Sequence, residues 1–362
     1  MPYSDESPSS PMPGKTRFIS ELTPGLGDME DIFLLVRATQ GKARNGPFWT
    51  LTLQDSSGQV DAKLWSPLSQ SFSSFTPGQV VLVRGRTGAY QDRLQITIDG
   101  LRILNTESPG PNDPRVDMDQ LTMTSEVPPE NLLAKLKTLL REGLVYPPWR
   151  KLAESALNDP VISEAMLSAP GGKAIHHAYR GGLLEHTLSV CQMSRHVCEH
   201  YPQLDSQILL VAGAFHDLGK AFELVSEPAP DYTDQGRLLG HIPLGLEVLQ
   251  PYLEECGADP ELILHFKHIL LSHHGEYEYG SPKRPKTAEA MILHYLDNMD
   301  AKLNQIASIF EDAGDSDEPL WSPYQTTLQR FLYKPKPTPD GNGKATTAKK
   351  KDNGQCSLPL KA

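Results

Sequence analysis

The segment Ile208-Leu-Leu-Val-Ala-Gly-Ala-Phe-His-Asp-Leu-Gly-Lys220 constrains this chain more than any other. Its apolar run reads as a helix buried on every side, and it ends on His216 and Asp217 together. An imidazole and a carboxylate at the end of a buried helix cost free energy unless something pairs them. A divalent metal ion does so, because neutral imidazole and carboxylate are both good ligands for first-row metals. The dipeptide alone is weak evidence, since adjacent histidine and aspartate arise by chance in many chains. It gains weight from His186 before it and from His241, His273, His274 and Asp297 after it.

The chain before this helix has a different grain. Residues 1–14 are rich in Ser and Pro and are expected to be disordered. Within 15–105, strand-like segments occur at 31–38, 48–55, 59–65, 79–86 and 94–99. They alternate with period two, and turn residues such as Ser56-Ser57-Gly58 separate them, which argues a small all-β barrel. Five strands in so short a span resemble the OB barrel. The phrase LQDSSGQVDAKLW resembles the hairpin between strands two and three of OB domains that bind nucleic acid. Such a barrel can grip a single strand by stacking bases on aromatics and meeting phosphates with basic side chains. The candidates are Phe48, Trp49, Trp65 and Tyr90, with Lys42, Arg44, Lys63 and Arg84. The ordinary alternative is that the aromatics fill the barrel and the charges are solvated surface.

Residues 106–128 carry Pro109, Pro111, Pro114 and Pro128 among acids and read as a linker. From residue 129 the period becomes helical, with Leu132, Leu133, Leu136, Leu139 and Leu140 at spacings of three and four. Helices are expected at 129–142, 147–157, 161–168, 181–201, 205–218, 241–256, 259–273, 287–311 and 322–333. The fold class is therefore an N-terminal five-stranded barrel followed by an all-α domain over 129–334. Residues 335–362 form a lysine-rich tail, expected to be disordered.

The formal charge of −11 leaves no global attraction for nucleic acid, so any binding depends on local patches. Four cysteines without a C-x-x-C pair fit a reducing compartment. With no signal peptide and no apolar run long enough to span a bilayer, a cytoplasmic protein without membrane contact is expected.

Each ligand candidate also has an ordinary explanation. His186 shares a helix face with Val190, Met193 and Val197, where a satisfied core histidine is common. Asp217 could cap a helix or pair with a base, His241 could begin a helix, and His273-His274 could end one. Taken together, these readings bury too many polar groups in one core. A shared metal site accounts for all of them: His186, His216, Asp217 and Asp297 make one four-ligand set. His241, His273 and His274, with Asp217 bridging, make a second. Nitrogen-rich sites of this kind favour Mn, Fe, Co or Zn over calcium, and two ions clamp the attacking and leaving oxygens of a phosphoryl displacement.

The pattern H…HD…H…HH…D resembles the HD-domain metal phosphohydrolases. The phrases HHAYRGGLLEHTLSV, HDLGK, RLLGHIPLG, LSHHGEYEYGSPKRPKTAEAMILHYLDNMDAKL and FLYK resemble the bacterial YhaM-type 3′→5′ exoribonucleases. The likeness spans about residues 17–334. It implies an OB domain joined to an HD domain, ligation by His186, His216, Asp217 and Asp297, and a second ion at His241, His273 and His274. Manganese is the first expectation, with Fe, Co or Zn as alternatives. It further implies that Asp217 and Lys220 are catalytic, Lys220 steadying the scissile phosphate. His177, Arg180, Lys283 and Arg284 would lie along the phosphate or RNA path. Trinuclear relatives carry a glutamate four positions before the first histidine; that position is Gly182 here, so two ions at most are expected.

The tail peptide Gln355-Cys-Ser-Leu-Pro-Leu360 resembles the Q-L-S-L-P-L motif that docks bacterial proteins on the DNA sliding clamp, through Gln355, Leu358 and Leu360. The leading expectation is a metal-dependent 3′→5′ exonuclease on single-stranded RNA or DNA that releases nucleoside 5′-monophosphates. The alternatives are an HD-type nucleotide or cyclic-dinucleotide phosphohydrolase and a single-strand-binding accessory protein held at the clamp. The oligomeric state stays open.

Overall fold

Strand β1 (Asp28–Ala43) is long enough to serve both sides of a barrel. Its first half pairs with β4 (Val80–Tyr90) and its second half with β2 (Gly46–Asp55). An irregularity between Leu35 and Arg37 lets the strand bend from one partner to the other. β3 (Gly58–Leu64) runs antiparallel to β2 and parallel to β5 (Arg93–Ile103), and β5 returns to β4. The result is a closed five-stranded barrel in the order β1-β2-β3-β5-β4.

The period-two alternation decides what fills it. Leu51 and Leu53 of β2, Ala62 and Leu64 of β3, and Val81 and Val83 of β4 point inward and are buried. Trp49 joins them at 8% exposure, edge-on to Phe75 at 5.1 Å between ring centroids. Its expected stacking on bases is therefore corrected: on β2 the neighbouring Phe48 faces outward and Trp49 inward. Residues 15–19 lace across the barrel, where Asp31 accepts from the backbone N–H of Arg17 at 2.7 Å and Asp55 from that of Ile19 at 2.7 Å.

The structure, a computed structural model, describes residues 14–90, 93–105, 115–172, 177–225, 231–311 and 320–339. It divides into two units, Met1–Thr124 with Ser226–Asp231 and Ser125–Val225 with Tyr232–Ala362. The stretch expected to be a linker is split by this division. Residues 115–124 go with the barrel, where Leu121 is buried among Ile32, Leu34, Val80 and Leu104. Val116 and Met118 pack against the same cluster, and the Ser56 N–H donates to the Gln120 carbonyl at 2.9 Å.

The second unit is helical: α1 (Pro129–Gly143), α2 (Pro147–Asn158), α3 (Pro160–Ser168), α4 (Gly182–His200), α5 (Ser206–Phe215), α6 (Lys220–Glu223), α7 (Asp234–Leu239), α8 (His241–Cys256), α9 (Pro260–Ser272) and α10 (Ala288–Glu311). Proline opens α1, α2, α3 and α9, where its missing N–H costs nothing. Asp159, Asp205 and Asp259 cap α3, α5 and α9 through side-chain bonds to backbone N–H groups. One apolar core, with Trp149, Phe215 and Phe266 among its largest members, joins these helices apart from α7.

Two expectations differ. The short α6 and α7, the latter capped by Thr233, are not among the expected helices. The helix expected at 322–333 is instead a two-stranded ribbon, with Leu320 opposite Lys334 and Trp321 opposite Tyr333. The β-branched pair Thr326-Thr327 disfavours a helix there. Among the described residues, no helix is long and apolar enough to cross a membrane.

Candidate metal centre

Helix α5 is apolar on all faces, so its C-terminal end is fixed in the core. The chain then turns through His216–Gly219 into α6. A Cβ at Gly219 would lie 1.9 Å from the His241 carbonyl oxygen and 2.7 Å from the Gly245 nitrogen. Only glycine allows this approach, which lays the start of α8, and with it His241, against Asp217. Helix α4 carries His186 to the same place, α9 ends on His273 and His274, and α10 brings Asp297 and Asp300.

The five imidazoles share one arrangement. His216 Nδ1 meets the Gly213 carbonyl at 2.8 Å, His273 Nδ1 that of Leu270 at 2.7 Å, and His274 Nδ1 that of Tyr279 at 2.9 Å. A carbonyl can only accept, so in each ring Nδ1 carries the proton and Nε2 offers its lone pair. Carboxylates back the other two: Asp300 Oδ2 lies 2.7 Å from His186 Nδ1, and Glu223 Oε2 lies 3.3 Å from His241 Nδ1.

Asp217 is the hub. Its Oδ2 lies 3.4 Å from Nε2 of both His186 and His216, and its Oδ1 lies 3.5 Å from Nε2 of both His241 and His273. Asp297 Oδ1 is 3.3 Å from His186 Nε2. Two candidate ligand groups form around Asp217, His186/His216/Asp217/Asp297 and Asp217/His241/His273/His274, and a third cluster, His177/His186/Asp300, lies behind His186; the donor atoms of each are within 4.8 Å of one another. The two around Asp217 coincide with the two sets expected from the sequence.

The polar accounting tests whether an ion fits. Asp217 Oδ1, His241 Nε2 and His273 Nε2 are buried without a hydrogen-bond partner. Acceptors turned toward acceptors in a buried cluster are unfavourable unless a cation lies between them. The donor set therefore fits a divalent first-row metal ion.

Charge within the cluster is strongly coupled. Burial opposes ionisation of Asp217, yet Lys220 and His216 hold its carboxyl well below the usual range. Lys220 Nζ sits 2.7 Å from Asp217 Oδ2; burial works against its charge, but Asp217 outweighs it and raises the ammonium. Burial opposes the charge on His186 as well, but Asp217, Asp297 and Asp300 raise it well above an ordinary imidazole. His273 is lowered, chiefly by burial, and burial followed by repulsion from His273 takes His274 to about 4.

Other expected site residues fall in several places. His177 is 3% exposed and lies behind His186, bonded to Asp300, so its place on a phosphate path is corrected. Arg180 is half-buried, and its carbonyl accepts from the Ser125 N–H. Lys283 and Arg284 stay exposed on the loop after His274; Arg284 pairs with Glu276 at 2.8 Å and lies over the Tyr277 ring. Phe48 and Trp65 meet on the outer barrel face at 4.9 Å, with Lys63 Nζ 4.9 Å above the Phe48 ring. Gln355, Leu358 and Leu360 lie outside the described residues. Sequence reasoning missed Asp300 and Glu223, the two carboxylates behind Nδ1 of His186 and His241. Asp300 left a signal, standing three residues after Asp297 on one helix.

Residues 183–302 match the HD domain family, and residues 35–104 match a family described as an OB-fold nucleic acid binding domain. The chain is 33% identical over 288 residues to the 3′-5′ exoribonuclease YhaM of Bacillus licheniformis, covering 79% of this chain and 89% of that protein. It is similar to a solved second OB-fold domain of replication protein A from Methanococcus maripaludis, at 25% identity and TM-score 0.22, over 25% of this chain and 94% of that one. It is also similar to the HD domain of the L. monocytogenes phosphodiesterase PgpH, at 21% identity and TM-score 0.29, over 43% of this chain and 81% of that one. An identity sustained over most of both chains, across a barrel and a helical domain alike, places this chain in the YhaM family of 3′-5′ exoribonucleases.

Proposed function

We propose that the protein is a metal-dependent 3′→5′ exonuclease that removes nucleoside 5′-monophosphates from single-stranded RNA, and that two ions serve it, manganese first among them. The observation that carries this reading is the position of Asp217, with one oxygen toward each set of Nε2 atoms. When bound, the ions would acidify the attacking water and offset the charge of the phosphate.

His186, His216 and Asp297 would hold one ion with Asp217 Oδ2, and His241, His273 and His274 the other with Asp217 Oδ1. Lys220 is held beside Asp217 by their bond, and it would supply a cation to a phosphate oxygen. Tyr277, Lys283 and Arg284 border His274 on an exposed loop suited to a phosphate backbone and a stacked base. On the barrel, Phe48, Trp65 and Lys63 offer a stacking face with a cation beside it. The test is digestion of 5′-labelled single-stranded RNA and DNA with Mn²⁺, with the released nucleotide identified. A ladder shortening from the 3′ end, with nucleoside 5′-monophosphate as product, is expected. Faster turnover of free nucleotides than of oligomers would refute the reading.

A further inference from the structure

His177 is a histidine that neither ligand set uses, and the chain strains to place it. Its φ is +48°, in the left-handed region that few side-chain-bearing residues adopt. A Cβ at Gly182 would lie 2.0 Å from the His177 carbonyl oxygen, and one at Gly171 would lie 2.6 Å from the His177 Cβ. Both positions are therefore cleared of side chains for it. Its carbonyl accepts from the N–H groups of Gly171 at 2.8 Å and Tyr179 at 2.9 Å, and its own N–H donates to Asn304 Oδ1 at 3.1 Å. Strain of this kind persists only where the surroundings over-determine it.

What this holds in place is the ring. His177 Nε2 lies 3.2 Å from Asp300 Oδ2, the oxygen that lies 2.7 Å from His186 Nδ1. The Ser189 hydroxyl donates to Asp300 Oδ1. His177 Nδ1 lies 3.0 Å from the Tyr179 hydroxyl, which donates to Glu185 Oε2 at 2.8 Å. Asp300 is thus gripped on both oxygens and cannot swing away from His186. Gly182 takes on a meaning here: a glutamate at that position would displace His177, so the chain has a buttress beside His186 in place of a further acidic ligand.

We propose that His177 is a positioning residue, acting through Asp300 to fix the tautomer and plane of His186 so that Nε2 faces the first ion. This rests on the metal reading above. Outer partners of ligating histidines change metal affinity about 10–100-fold. The test is Mn²⁺ titration of the full chain, counting ions by electron paramagnetic resonance, with melting temperature measured alongside. Wild type should bind two ions; a wild type that takes up no Mn²⁺ overturns the metal reading itself, before any variant is made. His177→Gly relieves the strained φ but removes a buried ring and a partner of Asp300, so the melting temperature should fall somewhat, while one ion binds about 10–100-fold more weakly and the other is unchanged. His177→Gln, which can still donate to Asp300, should restore much of the loss. Both ions at wild-type affinity in His177→Gly overturns the proposal, as does a loss that affects both ions and tracks the melting temperature. If His177→Gly does not fold, Asp300→Asn carries the same test, and unaltered affinity for both ions there overturns it equally.

Discussion

Replacing Asp217 with Asn keeps the shape of the hub and removes its charge. Lys220 Nζ and Asp217 Oδ2 are 2.7 Å apart, with side chains 13% and 1% exposed. At an effective dielectric of about 20 their attraction is about 6 kcal/mol. Desolvation of both groups offsets part of that, and breaking one partner of a buried pair usually costs about 3–5 kcal/mol. Lys220 has Asp297 and Glu223 nearby as further negative neighbours, which favours the lower end, about 3 kcal/mol. At about 2–4 °C per kcal/mol for a unit of this size, the ion-free variant should melt about 6–12 °C below wild type.

The loaded protein should diverge further. An ion at a hundredfold excess over its dissociation constant adds about 2.7 kcal/mol of stability. An amide offers one neutral oxygen, which cannot serve both ligand sets, so at least one such increment should vanish. Hydrolysis should fall at least about a thousandfold, a loss of about 4 kcal/mol in transition-state stabilisation. Calorimetry in EDTA and in Mn²⁺, with ion counting and RNA digestion on the same preparations, reads all three. A variant that keeps two ions and the full Mn²⁺-dependent rise in melting temperature would refute the bridging role. An ion-free variant that melts with wild type would show that the Lys220 pair contributes nothing.

Lys220→Met should lower hydrolysis about a hundredfold, in the range of a lost transition-state contact, and leave the Mn²⁺ count unchanged; loss of an ion would assign Lys220 to the metal site instead of the phosphate. Phe48→Ala and Trp65→Ala should each weaken single-strand binding by about 1–3 kcal/mol without moving the melting temperature, whereas Trp49→Ala should lower that temperature, since Trp49 is core; filter binding and calorimetry separate the two patterns. For pH, the raised His186 is a proton competing with the first ion, so Mn²⁺ binding should release a proton at neutral pH and tighten as pH rises, read from calorimetric titration in buffers of different ionisation enthalpy. The sign for ion-free stability is opposite. A base raised on folding contributes stability that is present below its unfolded value near 6.5 and lost as pH rises through the folded value, so the ion-free protein should weaken toward alkaline pH. An ion-free protein that grows more stable there would contradict the His186–Asp217–Asp297–Asp300 cluster.

How much of this was legible depends on the kind of constraint. The barrel and most helices follow from period and punctuation, which act locally: Leu51 and Leu53 alternate with outward residues whatever lies elsewhere, and Pro129, Pro147 and Pro260 open helices wherever they stand. Trp49 against Phe48 was not legible in the same way, because alternation says that neighbours face apart and not which of them faces inward. The ribbon at 320–334 escaped because leucine and phenylalanine spacing imitates a helical stripe over so short a run. The seven candidate ligands come together in the structure, and their grouping was legible because metal chemistry limits which residue types can meet in a buried core. Their buttresses were less so. Asp297 and Asp300 share a helix and a residue type, and only the third dimension separates them: one faces Nε2 of His186 and the other Nδ1. That difference divides a candidate ligand from a group that would orient one. It is set by the rotation of the His186 ring, which is fixed in turn by His177, a residue more than a hundred positions away from Asp300 in the chain.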